Sequence, residues 1–278
     1  MTIIVWSWLT VAVMMAVLWL VQKATDDAGI VDVGWSAGLG VIAVLAAFLL
    51  DADPSRRLLV ALLAGVWSLR LAGYLLVNRV LGRPEDGRYR TLRARWGAAA
   101  QRNFFVFFQA QAALDVVFAL PFLFAMANPR PLLGVVDLLG IGVWTVAVVG
   151  EAMADAQLAR FRSDPTNRGR TCRRGLWRVS RHPNYFFEWL HWWAYVALAF
   201  PGPGWWVALL GPALMLLFLF KVTGIPATEA QALASRGEEY RDYQRTTSVF
   251  VPWFPARTAD RERSKESGGP RRRPDRPA

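Results

Sequence analysis

Long apolar runs alternate with short polar connections along almost the whole chain. A helix needs about 20 mostly apolar residues to cross the hydrocarbon core of a bilayer. Seven runs meet or approach that length: 3–22, 30–50, 58–81, 104–126, 132–154, 185–200 and 204–223. The pattern predicts an all-α, polytopic membrane helix bundle of about seven transmembrane helices, of which 185–200 is the shortest. The first run has no basic residue ahead of it and no small-residue cleavage site before Lys23, so it predicts a retained span rather than a signal peptide. After Pro226 the pattern turns polar. Residues 226–245, with Glu229, Glu238, Glu239, Tyr240 and Tyr243, predict an amphipathic helix outside the bilayer, and Val249–Pro255 closes the ordered chain. The expected organisation is one transmembrane domain over 1–255 and a disordered basic tail over 256–278. That tail reads either as solubilising or as a contact for anionic lipid.

Charge sets the expected orientation. Loop 82–103 carries Arg83, Arg88, Arg90, Arg93, Arg95 and Arg102, and segment 159–183 carries a second arginine run from Arg160 to Arg181. Two spans separate them, so both fit on the cytoplasmic side, with the C-terminus cytoplasmic and the N-terminus outside. Arg56 and Arg57 then fall on the outer side, against the rule.

The composition agrees with a membrane protein: 54% hydrophobic and 19% charged, against about 25% charged in soluble domains. One cysteine and two histidines exclude a disulfide framework and predict no metal site. The net charge of +11 would suit nucleic acid, but the basic loops flank spans and topology explains them, so no nucleic-acid partner is expected. Gly140-Ile141-Gly142 lies in an apolar run with no strand before it and is not a dinucleotide fingerprint.

Ionisable side chains inside spans are costly and tend to line a cavity or site. Asp32, Arg70, Asp115, Asp137, Glu151, Glu188 and His191 qualify. Asp115 is expected to pair with Arg70 or to act alone, Asp137 to be interfacial, and His191 to be a hydrogen-bonded packing residue. Glu151 and Asp155 share one helix face, as do Asn184 and Glu188. With Arg162 and Arg170 they suit an anionic ligand rich in hydrogen-bonding groups, a nucleotide phosphate or a lipid headgroup. The alternative is an ordinary positive-inside loop.

Gly175-Leu176-Trp177, Ser180 and Arg181-His182-Pro183-Asn184-Tyr185-Phe186-Phe187-Glu188 resemble the signature of the steroid 5α-reductase superfamily. Ala154–Phe161, Glu239–Tyr243 and Phe250–Trp253 are similar to it as well. Gly82-Arg83-Pro84-Glu85-Asp86 with Arg88-Tyr89 and Arg95-Trp96-Gly97 resembles a bacterial branch of unassigned function, and the likeness extends over about 29–255. The chain departs from the family pattern in having Glu151 where asparagine is common and Phe187 where glycine is common.

The resemblance implies a bacterial inner-membrane reductase with its NADPH site on the cytoplasmic side. Hydride would go to the β-carbon of a hydrophobic conjugated enone drawn from the bilayer, a 3-oxo-Δ4 steroid or related isoprenoid. It implies cofactor contacts from Asp155, Arg162, Arg170, Arg181, His182, Asn184, Tyr185, Glu188, Tyr240 and Tyr243. Steroid reductases pair Gln-Glu on the second span with Tyr on the third; here no such pair exists. Asp32 is the stand-in for the acid if it is buried, with Tyr89 and Tyr74 as other donors and an N-cap as the bland role for Asp32. Trp35 and Arg70 are candidate substrate contacts. A second resemblance, Arg181–Tyr185 to the isoprenylcysteine carboxyl methyltransferases, implies S-adenosylmethionine instead.

Overall fold

The computed structural model describes residues 2–222 and 224–255. Among them there is no strand, and about 80% of the chain is helical. Among the described residues, six stretches are long and apolar enough to cross a membrane, so the protein is an integral membrane helical bundle. They lie in α1 (Thr2–Thr25), α2 (Ile30–Leu49), α3 (Pro54–Leu75, continued by a wide turn to Val80), α5 (Ala100–Met126), α6 (Val135–Ser163) and the run from Trp205 through α8 (Leu210–Leu217). Polar α4 (Gly87–Trp96) leads into α5. The expected span at 185–200 is α7 (Pro183–Ala199), 17 residues long. At 1.5 Å per residue it reaches only about 25 Å, short of the bilayer core.

The chain divides into two compact units, Met1–Glu151 with Phe187–Gly224, and Ala152–Phe186 with Ile225–Ala278. The residues 256–278 expected to form the tail lie outside the described residues.

In the first unit α2 is the central helix. Its most apolar window is 56% buried, against 17% for α1, whose Trp6, Val13 and Leu20 stay exposed as lipid-facing residues of a span do. Glycines let α2 sit close to its neighbours. A Cβ at Gly34 would come within 2.5 Å of Leu18, and one at Gly40 would overlap Ser68, whose Oγ donates to the Ser36 carbonyl at 2.5 Å. Asp53 caps α3 by accepting from the Arg56 amide at 2.9 Å, with Pro54 in the first turn.

Two expectations about the polar residues are corrected here. Asp115 does not pair with Arg70. It is fully buried on α5 against the bare backbone of Gly38, while Arg70 reaches Glu151 at 2.5 Å. Asp32 is not an N-cap, since Gly29 holds that position and Asp32 sits inside the first turn of α2. Asp137, in the first turn of α6, is 0% exposed and ion-paired at 3.0 Å with an equally buried Arg56. Trp67 and Trp192 are both 0% exposed and lie inside the bundle.

In the second unit the helix expected over 226–245 is two helices, α9 (Ile225–Arg236) and α10 (Glu238–Thr246). Gly237 separates them with φ 57°, a left-handed conformation that costs glycine nothing. The break turns Tyr240 and Tyr243 inward to pack with Ala232.

Candidate functional site

The candidate residues fall into two polar clusters in the first unit and one in the second. The first is built by the Gly82–Tyr89 motif. Asp86 caps α4 through the Arg88 amide at 2.9 Å. Glu85 accepts the Ala28 amide at 2.9 Å, just ahead of α2, and is clamped by Arg93 at 2.7 Å. These contacts tie the 82–93 segment to the start of α2. Arg88 and Tyr89 consequently reach Asp32. The Tyr89 hydroxyl donates to Oδ1 at 2.6 Å and the Arg88 guanidinium to Oδ2 at 2.9 Å. Two of the candidate acids, 57 positions apart, thus form one hydrogen-bonded pair. The burial on which an acid role for Asp32 was conditioned is not met, because its side chain is 29% exposed and faces a cation. Tyr89 is buried and carries the transferable proton of the pair. Tyr74 sits half-buried on α3, its carbonyl accepting from Asn78 at 3.0 Å.

The second cluster lies on α3, α6 and α7. Glu188 is buried and accepts from the indole N–H groups of Trp67 at 2.9 Å and Trp192 at 3.3 Å. Glu151, on α6, belongs to the same cluster through its ion pair with Arg70 at 2.5 Å. His191 stacks on Trp67 at 4.3 Å and meets the Tyr195 hydroxyl at 3.1 Å, the packing role expected of it. Trp35 contacts Trp67 and Phe118 edge-on at 6.4 and 5.6 Å, which places it beside this cluster. Sequence reasoning missed Trp67 and Trp192 as partners of Glu188. The Glu188–Trp192 spacing of four, one turn on a common face, was the available signal.

The third cluster is in the second unit. Asp155 is 3% exposed and accepts from the Asn184 amide at 3.3 Å. Arg162, Arg168, Arg170, Arg173, Arg174 and Arg178 are exposed around it in sequence. The only acidic residue from 156 to 187 is Asp164, whose carboxylate is occupied by Thr166. Four further candidates are held by the protein itself. The Arg181 guanidinium binds Glu229 at 2.7 Å and the carbonyls of Gln244 and Thr247 at 2.8 and 3.0 Å. His182 meets Glu229 at 3.3 Å and stacks on Tyr185 at 5.3 Å. Tyr243 donates to the carbonyls of Trp177 and Ser180. Burial, and next the Glu229 charge, push the Tyr240 phenol up to about 12.

The pull of this network on Glu229 has a measurable consequence. Burial opposes its charge, yet hydrogen bonds from His182, Arg181 and Gln244 outweigh burial and hold its carboxyl at about 2. A depressed carboxyl stabilises fully above its ordinary pKa, and the contribution is lost as pH falls. Resistance of α9 and α10 to limited proteolysis is therefore expected to decline as pH drops from 4.5 towards 2. In Glu229→Gln the resistance is expected to be lower at neutral pH and flat across that window; a wild-type profile in the variant removes the assignment.

A family model described as "Protein of unknown function (DUF1295)" matches residues 18–247. No curated protein and no solved structure matches the chain.

Proposed function

The chain belongs to the DUF1295 family, a membrane protein family, and from that premise we propose that it is an NADPH-dependent reductase of the C=C bond in a hydrophobic conjugated enone. The observation that carries the reading is the Tyr89–Asp32–Arg88 arrangement. It supplies a phenolic proton, fixed in place by a carboxylate and a guanidinium, at the end of a membrane helix. Such a group suits a carbonyl oxygen that gains charge as the bond is reduced. The substrate class, a 3-oxo-Δ4 steroid or related isoprenoid, follows from the resemblance and from a site set among spans.

The residues of the second unit fit the cofactor. An acceptor–donor pair, buried Asp155 and half-buried Asn184, lies in sequence beside seven exposed arginines, from Arg160 to Arg178, and a single acid. That excess of guanidinium suits a polyphosphorylated ligand. Arg162 and Arg170 would hold phosphates, and Asp155, Asn184 and Tyr185 would meet ribose or carboxamide. The cofactor supplies a hydride. Arg181, His182, Tyr240 and Tyr243 act in this reading as the frame behind the site, since their polar atoms are taken up by the chain. Glu188, with Arg70 and Glu151, is a buried polar cluster suited to an amide or carbonyl. On this reading the arginine loop faces the cytoplasm of a bacterial inner membrane.

Calorimetric titration of the detergent-purified protein with NADPH, NADH and S-adenosylmethionine tests the proposal. NADPH binding followed by enone-dependent NADPH oxidation is the expected result. Binding of S-adenosylmethionine alone would replace the reductase by a methyltransferase. Arg170→Ala is expected to weaken NADPH by about tenfold to a hundredfold, the range of a charged hydrogen bond, and to leave NADH nearly unchanged. Equal weakening of both would remove Arg170 from the 2′-phosphate.

A further inference from the structure

On the cofactor reading above, on which this rests, we propose that Glu239 on α10 is a positioning residue for the arginine segment 168–174, and through it for the phosphate that Arg170 would hold. The segment is fastened to α10 at its midpoint. The Glu239 carboxylate accepts twice from one residue, from the Thr171 amide at 3.0 Å and from the Thr171 hydroxyl at 2.7 Å. The Arg173 guanidinium donates to the Glu239 carbonyl and lies over the Tyr243 ring at 5.3 Å. Residues 171–173 are therefore docked on one turn of α10, and all of these groups belong to the second unit.

Arg170 immediately precedes that dock and is held from the other side as well. Its amide donates to the Asn167 carbonyl at 3.0 Å. The Asn167 side chain donates in turn to the Phe161 carbonyl at 3.0 Å, in the last turn of α6. Gly169 makes the bend between them with φ 77°, a left-handed conformation that glycine adopts freely. The Arg170 backbone thus has a fixed point on each side. A guanidinium that departs from a fixed backbone loses less freedom when it binds an anion, which is how preorganisation raises affinity. Arg173 is taken up by the dock itself, so Arg170 is the neighbour whose point of departure the dock sets.

Charge makes this role testable by its sign. Arg168, Arg170, Arg173 and Arg174 flank Thr171, and a carboxylate among them lowers the positive potential that an anion meets. By charge alone, removing Glu239 would tighten a phosphorylated ligand. By position, removing it would weaken that ligand, because the segment loses its hold at Thr171. Two substitutions separate these effects. Glu239→Gln loses the charge but keeps an oxygen to accept the Thr171 amide, whereas Glu239→Ala loses both.

The full-length protein in detergent is titrated calorimetrically with NADPH and NADH. Glu239→Ala is expected to weaken NADPH about tenfold, the lower end of the range for a charged hydrogen bond, and to leave NADH nearly unchanged, the pattern expected of Arg170→Ala. The conservative Glu239→Gln is expected to restore most of the affinity. In an Arg170→Ala background, Glu239→Ala is expected to add no further weakening, because the clamp acts through Arg170. Tightening in both Glu239 variants overturns the proposal in favour of charge alone. Equal weakening of NADPH and NADH overturns it in favour of a scaffold role. A wild type that binds no NADPH removes the cofactor reading and the proposal with it, whereas wild-type NADPH affinity in Glu239→Ala removes the proposal alone. Thermal unfolding of each variant reports loss of fold. Should Glu239→Ala unfold at a lower temperature, Thr171→Val removes only the hydroxyl donor and decides the matter: a severalfold loss of NADPH affinity is expected, and unchanged affinity overturns the proposal.

Discussion

Arg56→Met is expected to destabilise the protein by about 3–5 kcal/mol, the cost of leaving one partner of a buried ion pair alone. Arg56 and Asp137 are both 0% exposed. The guanidinium donates to Asp137 Oδ1 at 3.0 Å and Oδ2 at 3.2 Å, and to the carbonyls of Leu198, Arg130 and Pro131. It joins the start of α3 to the start of α6 and the end of α7. Asp137 in turn accepts the Gly134 amide at 3.1 Å and has Arg130 at 3.8 Å, so the loss of Arg56 leaves a fully buried carboxylate without its two shortest charged hydrogen bonds. Thermal unfolding in detergent measures the effect. The double variant Arg56→Met/Asp137→Leu is expected to recover most of the loss, because an apolar pair of similar volume has no desolvation to offset. An unchanged midpoint in Arg56→Met would mean that the pair contributes no net stability. The same pair explains the conflict with the charge rule. Arg56 sits on the expected outer side as half of a neutral buried pair, not as a loop cation.

That residue shows where sequence reading runs out. Hydropathy located six of the seven expected runs in helices long and apolar enough to cross a membrane, because the length of an apolar run follows from the thickness of the bilayer; the seventh, α7, is too short. It did not say which polar residue meets which. Arg70 was expected to meet Asp115, and its actual partner, Glu151, depends on how helices distant in sequence pack. Asp115 lies instead where Gly38 leaves room, a contact that no periodicity encodes. Local chemistry was more legible than long-range pairing. Gly237 was visible as a glycine in a helix-prone stretch, yet its role as a break follows only once Tyr240 and Tyr243 must turn inward. For the candidate site, the motif residues Arg88 and Tyr89 were legible as a pattern and Asp32 as a carboxylate in a span. Their meeting across 57 positions required the loop contacts of Glu85 and Asp86. The network around Arg181 was illegible for the converse reason: the acceptors that hold this signature arginine come from α9, α10 and the segment after them, far along the chain.

On the reductase reading, Tyr89→Phe is expected to lower enone turnover by about 10²–10⁴-fold, the range for loss of a general acid, with NADPH affinity unchanged. The phenol is the proton source in this arrangement because Asp32 accepts on both oxygens, from Tyr89 at 2.6 Å and from Arg88 at 2.9 Å. Tyr89 would give its hydroxyl proton to the carbonyl oxygen as negative charge develops there, its O–H bond breaking; the enol so formed would tautomerise to the ketone, and the phenolate would regain a proton from water. Asp32 orients the hydroxyl, and Arg88 fixes Asp32 through a second tether to Asp86 at 3.1 Å. Asp32→Asn keeps the shape but removes the charge that aligns the two donors, so it is expected to lower turnover while cofactor binding stays intact. Arg88→Lys replaces a forked donor by a point charge and is expected to fall between wild type and Asp32→Asn. The ordering separates catalysis from mere scaffolding. A structural role for the three residues would lower the unfolding temperature in step with activity, whereas a proton donor removed as Tyr89→Phe leaves stability nearly intact and abolishes the pH-dependent limb of kcat. Wild-type turnover in Tyr89→Phe would exclude the phenol and return the search to Tyr74.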